Sequence, residues 1–201
     1  MKINEIFYSL QGEGHYTGTP AVFVRFAGCN LRCWFCDTNF ETGQEMSEDE
    51  IVGAVLKYPT RYVVITGGEP TLQLTASLCD KLHAHGCYLM METNGTRPLS
   101  EGCQVDWVTC SPKLSDIING KRKLVPLRIG HIDELKVVFE DSESQDIALY
   151  EQISANEYRL QPCDTQDPQR NQEIIDKTIS YILQHPQWKL SLQTHKILGV
   201  R

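Results

Sequence analysis

The sequence has little positive charge and no long apolar run. Its 201 residues are 41% hydrophobic and 22% charged, and the formal net charge is −7. No segment approaches the roughly 20 apolar residues that a membrane helix needs. A chain with this net negative charge also lacks the excess of positive charge that binds the phosphates of nucleic acid. The first five residues include a lysine and a glutamate, so we expect no secretory signal peptide. We predict a cytoplasmic protein with neither a membrane nor a nucleic acid as its partner.

The sequence also lacks an internal repeat and a flexible linker. A chain of 201 residues suits one domain and can bury about 70% of the surface that it exposes when unfolded. It therefore needs no disulfide staples, and its eight cysteines indicate a reducing compartment. We predict a single domain that covers residues 1–201.

A fourth cysteine is missing beside a close group of three. Cys29, Cys33 and Cys36 fall within eight residues, in a predicted loop that can turn three thiolates onto one metal cluster. Ferredoxin-type electron carriers usually hold a 4Fe-4S cluster with four thiolates. Three thiolates leave one iron free to bind another molecule, so the triad predicts a 4Fe-4S cluster with an open iron.

Three simpler roles for these cysteines are less consistent with the spacing. Buried structural cysteines need no particular spacing. A structural zinc site uses four ligands, often in two close pairs. A thioredoxin-like redox pair at Cys33 and Cys36 would not need Cys29.

Apolar runs alternate with helical patterns along most of the chain. Runs typical of strands lie at residues 3–8, 21–26, 62–66, 88–92, 105–110, 135–139, 158–162 and 188–193. Helices are predicted after the capping-box residue Ser47, around Leu74, Leu78 and Leu82, at about 142–153 and at 174–183. The order predicts an α/β fold whose parallel sheet curls into a partial barrel, with functional residues at the carboxyl ends of the strands. The basic stretch 114–131 has no clear period and is predicted to be a long loop or mobile flap.

The cysteine spacing and a second motif together resemble a known superfamily. Phe35 precedes the last cysteine of the Cys-x3-Cys-x2-Cys motif, and Thr-Gly-Gly-Glu-Pro follows at 66–70. In this combination the chain resembles the radical S-adenosylmethionine (SAM) superfamily. The resemblance implies the radical SAM fold, a partial, modified TIM-type barrel with helices outside. It also implies a 4Fe-4S cluster whose open iron binds SAM, which the reduced cluster cleaves to a 5′-deoxyadenosyl radical.

Further motifs narrow the resemblance to one family. They are Leu-Gln-Gly-Glu-Gly at 10–14, Arg25, Cys-Asp-Thr at 36–38, Ser-Pro-Lys at 111–113, Leu-Gln-Pro at 160–162 and Gln-Thr-His-Lys at 193–196. In this order they resemble the 7-carboxy-7-deazaguanine synthases of queuosine and 7-deazapurine biosynthesis. The resemblance implies a homodimer whose protomer is a shortened barrel of about six parallel strands and three main helices.

The resemblance also implies a reaction. Members of that family are carbon–nitrogen lyases that contract the ring of 6-carboxy-5,6,7,8-tetrahydropterin, giving 7-carboxy-7-deazaguanine and ammonia. They use a 4Fe-4S cluster, SAM and Mg²⁺, and an external flavodoxin-like or ferredoxin-like reductant supplies the electron. The cofactor radical performs the chemistry, so no side chain is singled out as catalytic.

Residues near predicted strand ends are expected to hold the cofactor. By resemblance these are Phe35, Cys36, Asp37, Gly68, Glu69, Ser111, Pro112 and Lys113. The glycines at 67–68 leave backbone groups open at the end of a strand, where a ligand's ammonium and carboxylate can approach. An ordinary turn is the alternative for these glycines and for Ser111 and Lys113.

A second set of residues is expected to bind the substrate. By resemblance it comprises Leu10, Gln11, Gly12, Glu13, Arg25, Thr66, His195 and the C-terminal Arg201. Arg25 is the one charge in an apolar run and can form a bidentate contact with a carboxylate. A salt bridge to a neighbouring acid is its alternative, and ordinary surface positions are the alternatives for Glu13 and His195.

Thr38 is expected, by resemblance, to bind magnesium. Magnesium prefers oxygen ligands and often takes few of them from protein. Asp37 is the rival ligand, and a turn or helix-capping role is the alternative for Thr38.

Two other functions stay open at this point. A radical SAM activase of a glycyl-radical enzyme shares the cysteine triad and acts on a protein, but the motifs at 10–14, 38 and 194–196 argue against it. A non-catalytic iron–sulfur electron carrier would be expected to have a fourth thiolate and would have no use for the motif at 66–70.

Overall fold

The computed structural model describes residues 1–115, 122–142 and 145–200. In this part of the chain the strands are β1 (Lys2–Leu10), β2 (Pro20–Phe26), β3 (Gln44–Glu45), β4 (Tyr62–Gly67), β5 (Tyr88–Thr93), β6 (Trp107–Cys110), β7 (Glu134–Phe139), β8 (Glu157–Pro162) and β9 (Trp188–Leu190). The helices are α1 (Glu48–Val55), α2 (Ala76–Ala84), α3 (Pro168–Gln184) and α4 (Thr194–Leu198), with 3-10 turns at Pro70–Leu72 and Ile147–Gln152. None of these helices combines the length and the hydropathy that crossing a membrane requires.

Seven neighbouring strands of one sheet are parallel. The spatial order is β3-β1-β2-β4-β5-β6-β7-β8-β9, with parallel pairing from β2 to β9. β1 pairs antiparallel with β2 and with β3 at one edge. The parallel strands follow one another in chain order, as in a TIM-type barrel that is left open. The predicted α/β partial barrel is confirmed, with seven parallel strands where about six were expected.

Apolar side chains on the outer face of the sheet form the main core. Val24, Ile65 and Met91 are buried there under α1 and α2. α1 begins with a capping box, in which the Ser47 hydroxyl accepts from the Glu50 amide and the Glu50 carboxylate accepts from the Ser47 amide. The cap fixes where α1 starts and so which of its faces meets the sheet. Since α1 and α2 cover the outer face of the sheet, these helices lie outside the barrel.

The inner face of the sheet is polar near the carboxyl ends of the strands. Side chains alternate across a strand, and strand pairing sets Arg25 beside Thr66 and Glu92 beside Thr109. Earlier along the strands, the same face is filled by the apolar residues Phe7, Ala21, Phe23, Val64 and Met90. An apolar floor beneath a polar layer places a binding site in the mouth of the barrel.

Two predicted elements differ from the structure. The helix predicted at about 142–153 is wrong for the described residues, since the Asp146 side chain caps a short 3-10 turn that begins only at Ile147. Residues 143–144 of that prediction lie outside the described residues. The last strand ends at Leu190 rather than at residue 193, because the Thr194 amide bonds to the Gly12 carbonyl and opens α4 instead of extending the sheet.

Two connections between parallel strands contain no helix in their described residues. One joins β5 to β6 and the other joins β6 to β7. In the second, Leu114 and Leu124 form an isolated antiparallel bridge. The described part of 114–131 has no other strand or helix, as predicted for a loop, while residues 116–121 lie outside the described residues.

We predict that Leu82→Ala lowers the free energy of unfolding by about 2–5 kcal/mol, because it leaves a cavity at a fully buried position of α2. Urea denaturation of wild type and variant measures the loss. Leu183→Ala is the matched control, since Leu183 on α3 is 79% exposed and its truncation should change stability by no more than about 0.5 kcal/mol. Similar losses in both variants would contradict the placement of the core.

Candidate active site

A cavity of about 540 Å³ opens at the carboxyl ends of the parallel strands. Its lining includes residues at or just after strand ends, namely Gly67, Gly68, Thr93, Asn94, Ser111, Pro162 and Cys163. Each motif singled out in the sequence contributes at least one side chain or backbone segment to it. The volume lies in the range that holds a small-molecule ligand.

Three free thiols share one side of this cavity. Cys29, Cys33 and Cys36 lie on the loop between β2 and β3. The Leu31 amide donates to Cys29 Sγ at 3.4 Å, and the Cys36 amide donates to the Cys33 carbonyl at 3.2 Å. The loop therefore curls around its sulfur atoms and presents them to the cavity.

The surroundings of these thiols shift the pKa of two of them. Burial raises the pKa of Cys29, and so do the charges of Glu69 and Cys36. Burial also raises the pKa of Cys33, while Lys113 opposes the shift. Metal ligation needs thiolates, which a bound cationic cluster would stabilise. In the part of the chain that the structure describes, no three His, Cys, Asp or Glu side chains are placed to hold a single metal ion.

Two glycines let the end of β4 lie against the cysteine loop. A Cβ atom on Gly68 would fall 2.0 Å from the Gly28 carbonyl oxygen and 2.9 Å from Cys29 Cβ. The Glu69 amide donates to the same Gly28 carbonyl at 2.9 Å. Gly67 has φ 132°, a conformation that favours glycine. A side chain at either position would push the strand end away from the sulfur atoms.

A cation, a hydroxyl and an aromatic ring meet beside the cysteine loop. Lys113 Nζ donates to the Ser111 carbonyl at 2.8 Å and to the Ser111 hydroxyl at 2.6 Å. The same nitrogen lies 5.9 Å from the centre of the Phe35 ring. Burial lowers the pKa of Lys113, and the Cys33 thiol acts against this shift. All three side chains line the cavity and can serve a ligand with a carboxylate and an aromatic base.

Glu13, Glu92 and Lys136 form a charged wall inside the barrel mouth. Lys136 Nζ donates to the Glu13 carboxylate and lies 3.8 Å from Glu92. The Glu92 carboxylate also accepts from Gln11 Nε2 at 3.1 Å and from the Thr66 hydroxyl at 2.9 Å. Sequence reasoning missed Glu92 and Lys136. The signal was the one used for Arg25, a charge within a mainly apolar strand.

Burial and ion pairing compete within the charged wall. Burial would raise the pKa of Glu13, but the charge of Lys136 and hydrogen bonds from Lys136 and Gln193 lower it to about 2. Burial disfavours the charged form of Lys136, yet Glu13 and Glu92 hold its pKa above the usual value. Glu13 and Lys136 are therefore both charged at neutral pH.

Arg25 lines the cavity and also forms the salt bridge that was its alternative role. Its Nε donates to the Glu5 carboxylate at 2.9 Å, and its Nη1 donates to Thr38 Oγ1 at 3.4 Å. The guanidinium carbon lies 5.7 Å from the centre of the Phe7 ring. These contacts orient the planar group at the edge of the cavity.

The two candidate magnesium ligands are neighbours at the same rim. Thr38 Oγ1 accepts from Arg25, while Asp37 forms an ion pair with Lys196 at 3.0 Å. Gln193 Nε2 also donates to Asp37, at 3.4 Å. Both Thr38 and Asp37 line the cavity, and their oxygens are of the type that magnesium prefers.

The C-terminal segment closes one side of the cavity. The Thr194 amide and hydroxyl both donate to the Gly12 carbonyl at 2.9 Å. A Cβ atom on Gly12 would lie 2.2 Å from His195 Nδ1, so glycine is needed for this approach. His195 and Gln11 line the cavity as predicted, and so does Leu10.

Two predicted site residues in the described part of the chain are not brought to the cavity surface. Glu69 is fully buried, and its carboxylate accepts from the Thr93 hydroxyl at 2.7 Å and the Asn94 amide at 2.8 Å. Its side chain thus braces the ends of the strands, and its contact with the cofactor stays a prediction. Pro112 is also buried outside the lining, and Arg201 lies outside the described residues.

We predict that Glu69→Ala destabilises the protein by at least about 1–3 kcal/mol, because it leaves the buried donors of Thr71, Thr93 and Asn94 without an acceptor. Urea denaturation measures this loss. Glu41→Ala is the control, since the Glu41 side chain is 68% exposed. An unfolding free energy unchanged by Glu69→Ala would contradict the bracing role.

Comparison with known proteins adds independent evidence. Residues 23–118 match the family model described as the radical SAM superfamily. A 7-carboxy-7-deazaguanine synthase from Bacteroides thetaiotaomicron is 52% identical over 200 residues, covering 100% of this chain and 98% of that protein. One from Bradyrhizobium diazoefficiens is 40% identical over 221 residues, covering 99% of this chain and 98% of that protein.

A solved structure shares the fold. The crystal structure of QueE from Escherichia coli matches with a TM-score of 0.73 and 25% sequence identity. The match covers 95% of this chain and 92% of that chain. The similarity therefore extends over nearly the whole barrel and is not limited to the cysteine loop.

Proposed function

The chain belongs to the 7-carboxy-7-deazaguanine synthase family of radical SAM enzymes, and we propose that it converts 6-carboxy-5,6,7,8-tetrahydropterin into 7-carboxy-7-deazaguanine with release of ammonia. It is a radical SAM lyase, and its cofactors are a 4Fe-4S cluster and SAM. One observation supports the proposed substrate most directly: the cysteine triad and the charged wall line one and the same cavity.

We assign the cofactor contacts to the side of the cavity that carries the triad. Cys29, Cys33 and Cys36 would hold the cluster. When bound, the cluster and SAM supply a radical that removes a hydrogen atom from the substrate. The chain's own part is to present backbone groups at Gly68 and the Ser111–Lys113 turn to the polar end of the cofactor, while Phe35 offers a ring to its base.

We assign the substrate contacts to the charged wall and to Arg25. A carboxylated pterin has one anionic group and a ring edge rich in N–H donors. Arg25 suits the anion, because a guanidinium can form two parallel hydrogen bonds to a carboxylate, and Glu5 already fixes its orientation. The carboxylates of Glu13 and Glu92 suit the N–H donors of the ring. Gln11, Gly12, Thr66 and His195 complete the enclosure.

The remaining assignments concern assembly and electron supply. We propose one domain over 1–201, supported by the sheet that runs from β3 to β9. A homodimer is supported by exposed apolar side chains on the surface, such as Ile197 and Leu198. An external reductant would reach the cluster past Trp34, which is 61% exposed on the cysteine loop.

Anaerobic incubation of cluster-loaded protein with SAM, dithionite and 6-carboxy-5,6,7,8-tetrahydropterin tests the proposed reaction. Mass spectrometry should detect 7-carboxy-7-deazaguanine. Cleavage of SAM without turnover of the pterin would reject the proposed substrate while leaving the radical SAM assignment in place.

We predict that Arg25→Ala weakens substrate binding by about 2–5 kcal/mol, because it removes a charged partner from a desolvated carboxylate. Arg25→Lys should recover only part of the loss, since an ammonium lacks the planar fork. Michaelis constants measure the effect, with SAM binding as the internal reference. Arg97→Ala, at an exposed position outside the cavity, is the matched control. A Michaelis constant of Arg25→Ala equal to that of wild type would refute the assignment.

We predict that Thr38→Val lowers turnover and abolishes its dependence on added magnesium, because the change keeps the shape and removes the oxygen ligand. Iron content and SAM binding should be unchanged. Asp37→Asn tests the rival ligand under the same conditions. If Thr38→Val still responds to magnesium as the parent does, Thr38 does not bind the metal.

A further inference from the structure

Two cysteines outside the active-site cavity lie in direct contact. Cys79 is fully buried on α2, and Cys103 is half-buried in the connection between β5 and β6. Their Sγ atoms are 3.2 Å apart, whereas a disulfide bond is about 2.05 Å long. The two sulfur atoms would therefore have to approach each other by about 1.2 Å to form a disulfide bond. Neither side chain lines the cavity, so the proposed function does not use them.

The backbone around Cys103 is held against the start of α2. The Ser100 hydroxyl donates to the Leu74 carbonyl at 3.2 Å, and the Cys103 amide donates to the Ser100 carbonyl at 3.0 Å. Gly102 has φ 76°, and a Cβ atom there would already be 3.4 Å from Ala76 Cβ. The two thiols are thus brought together by a fixed turn as well as by the core.

We propose that Cys79 and Cys103 form a reversible disulfide when the protein is exposed to hydrogen peroxide. Two chemically distinct steps lead to it. Cys103 Sγ attacks the peroxide, the O–O bond breaks, one oxygen leaves as water and the other stays on sulfur as a sulfenic acid. Cys79 Sγ then displaces that oxygen as a second water while the S–S bond forms. Two electrons pass from the sulfur pair to the peroxide, and the two thiol protons end in water.

The environment of each sulfur fits this order of attack. Cys103 is the more accessible of the two. The hydrogen bond between the two sulfur atoms lowers the pKa of Cys103. The same bond, together with burial, raises the pKa of Cys79. Thiolates are the nucleophiles in such reactions, so Cys103 attacks first and Cys79 resolves the product.

Oxidation would fasten α2 to the segment that leads into β6. That segment joins two strands whose ends, Thr93 and Thr109, line the cavity. Sulfinic and sulfonic acids form by further oxidation of a sulfenic acid, and thiols do not reverse them. Formation of the disulfide consumes the sulfenic acid, so the oxidation of both sulfur atoms stays reversible by thiols. The pair therefore differs from the cluster thiols, which need to stay available as ligands.

Peptide mapping of the full-length holoprotein tests the proposal. The protein is titrated with hydrogen peroxide, alkylated without reductant, and digested with trypsin and a protease that cuts at acidic residues. Glu92, Glu101 and Asp106 separate Cys87, Cys103 and Cys110 into different peptides. The expected product joins the peptides of Cys79 and Cys103 with the loss of two hydrogen atoms, and dithiothreitol removes it.

Variants and stability supply the controls. Cys103→Ser should abolish the cross-linked peptide, while Cys87→Ser, at another buried cysteine of the same core, should keep it. The melting temperature of oxidised wild type should fall by about 5–10 °C on reduction, and that of Cys103→Ser should not. Two outcomes in the wild-type protein would overturn the proposal. One is complete alkylation of Cys79 after peroxide treatment, and the other is a cross-link between Cys103 and a different cysteine.

Discussion

The buried ammonium group of Lys136 determines how the mouth of the barrel is closed. Lys136 is only 6% exposed, and a charge buried to this degree requires a partner. Its partners come from separate parts of the chain, Glu13 on the loop after β1 and Glu92 on β5. Gln193 donates to Glu13 at 3.0 Å and so joins the C-terminal segment to the same group. Removing either acid would leave a poorly compensated charge, a change that typically costs about 3–5 kcal/mol.

Side-chain alternation along the strands separates stability from chemistry. The outer face of β2, β4 and β5 is apolar and packs under helices, whereas the inner face carries the cavity residues. The polar interior continues away from the cavity, where the Glu134 carboxylate accepts from the His15 amide at 2.7 Å and lies 3.6 Å from Arg159. Burial raises the pKa of Glu134, while the charge of Lys136 opposes the shift. The same sheet thus holds the main hydrophobic core on its outer face and a polar layer above an apolar floor on its inner face.

Much of the fold could be predicted from the sequence, and most of the predicted site residues line the cavity. Apolar runs located the main strands, and the capping box at Ser47 located α1, because both signals are local. Glu92 and Lys136 were missed because a single charge in an apolar strand does not reveal which distant residue pairs with it. Glu69 was placed by its motif at the cofactor, but its burial depends on Thr93 and Asn94, which meet it only in the folded sheet.

The contact of Gly12 with the Thr194–Leu198 helix has a consequence for the order in which the site is built during synthesis. The cysteine loop and the glycines at 67–68 are made within the first 70 of 201 residues. The Thr194 bonds to Gly12 can form only after almost the whole chain has left the ribosome. Because a domain generally folds as a unit, the cavity stays incomplete until residues 194–196 are available to bond to Gly12. A growing chain therefore contains its three cysteines long before it contains the segment that closes the cavity beside them.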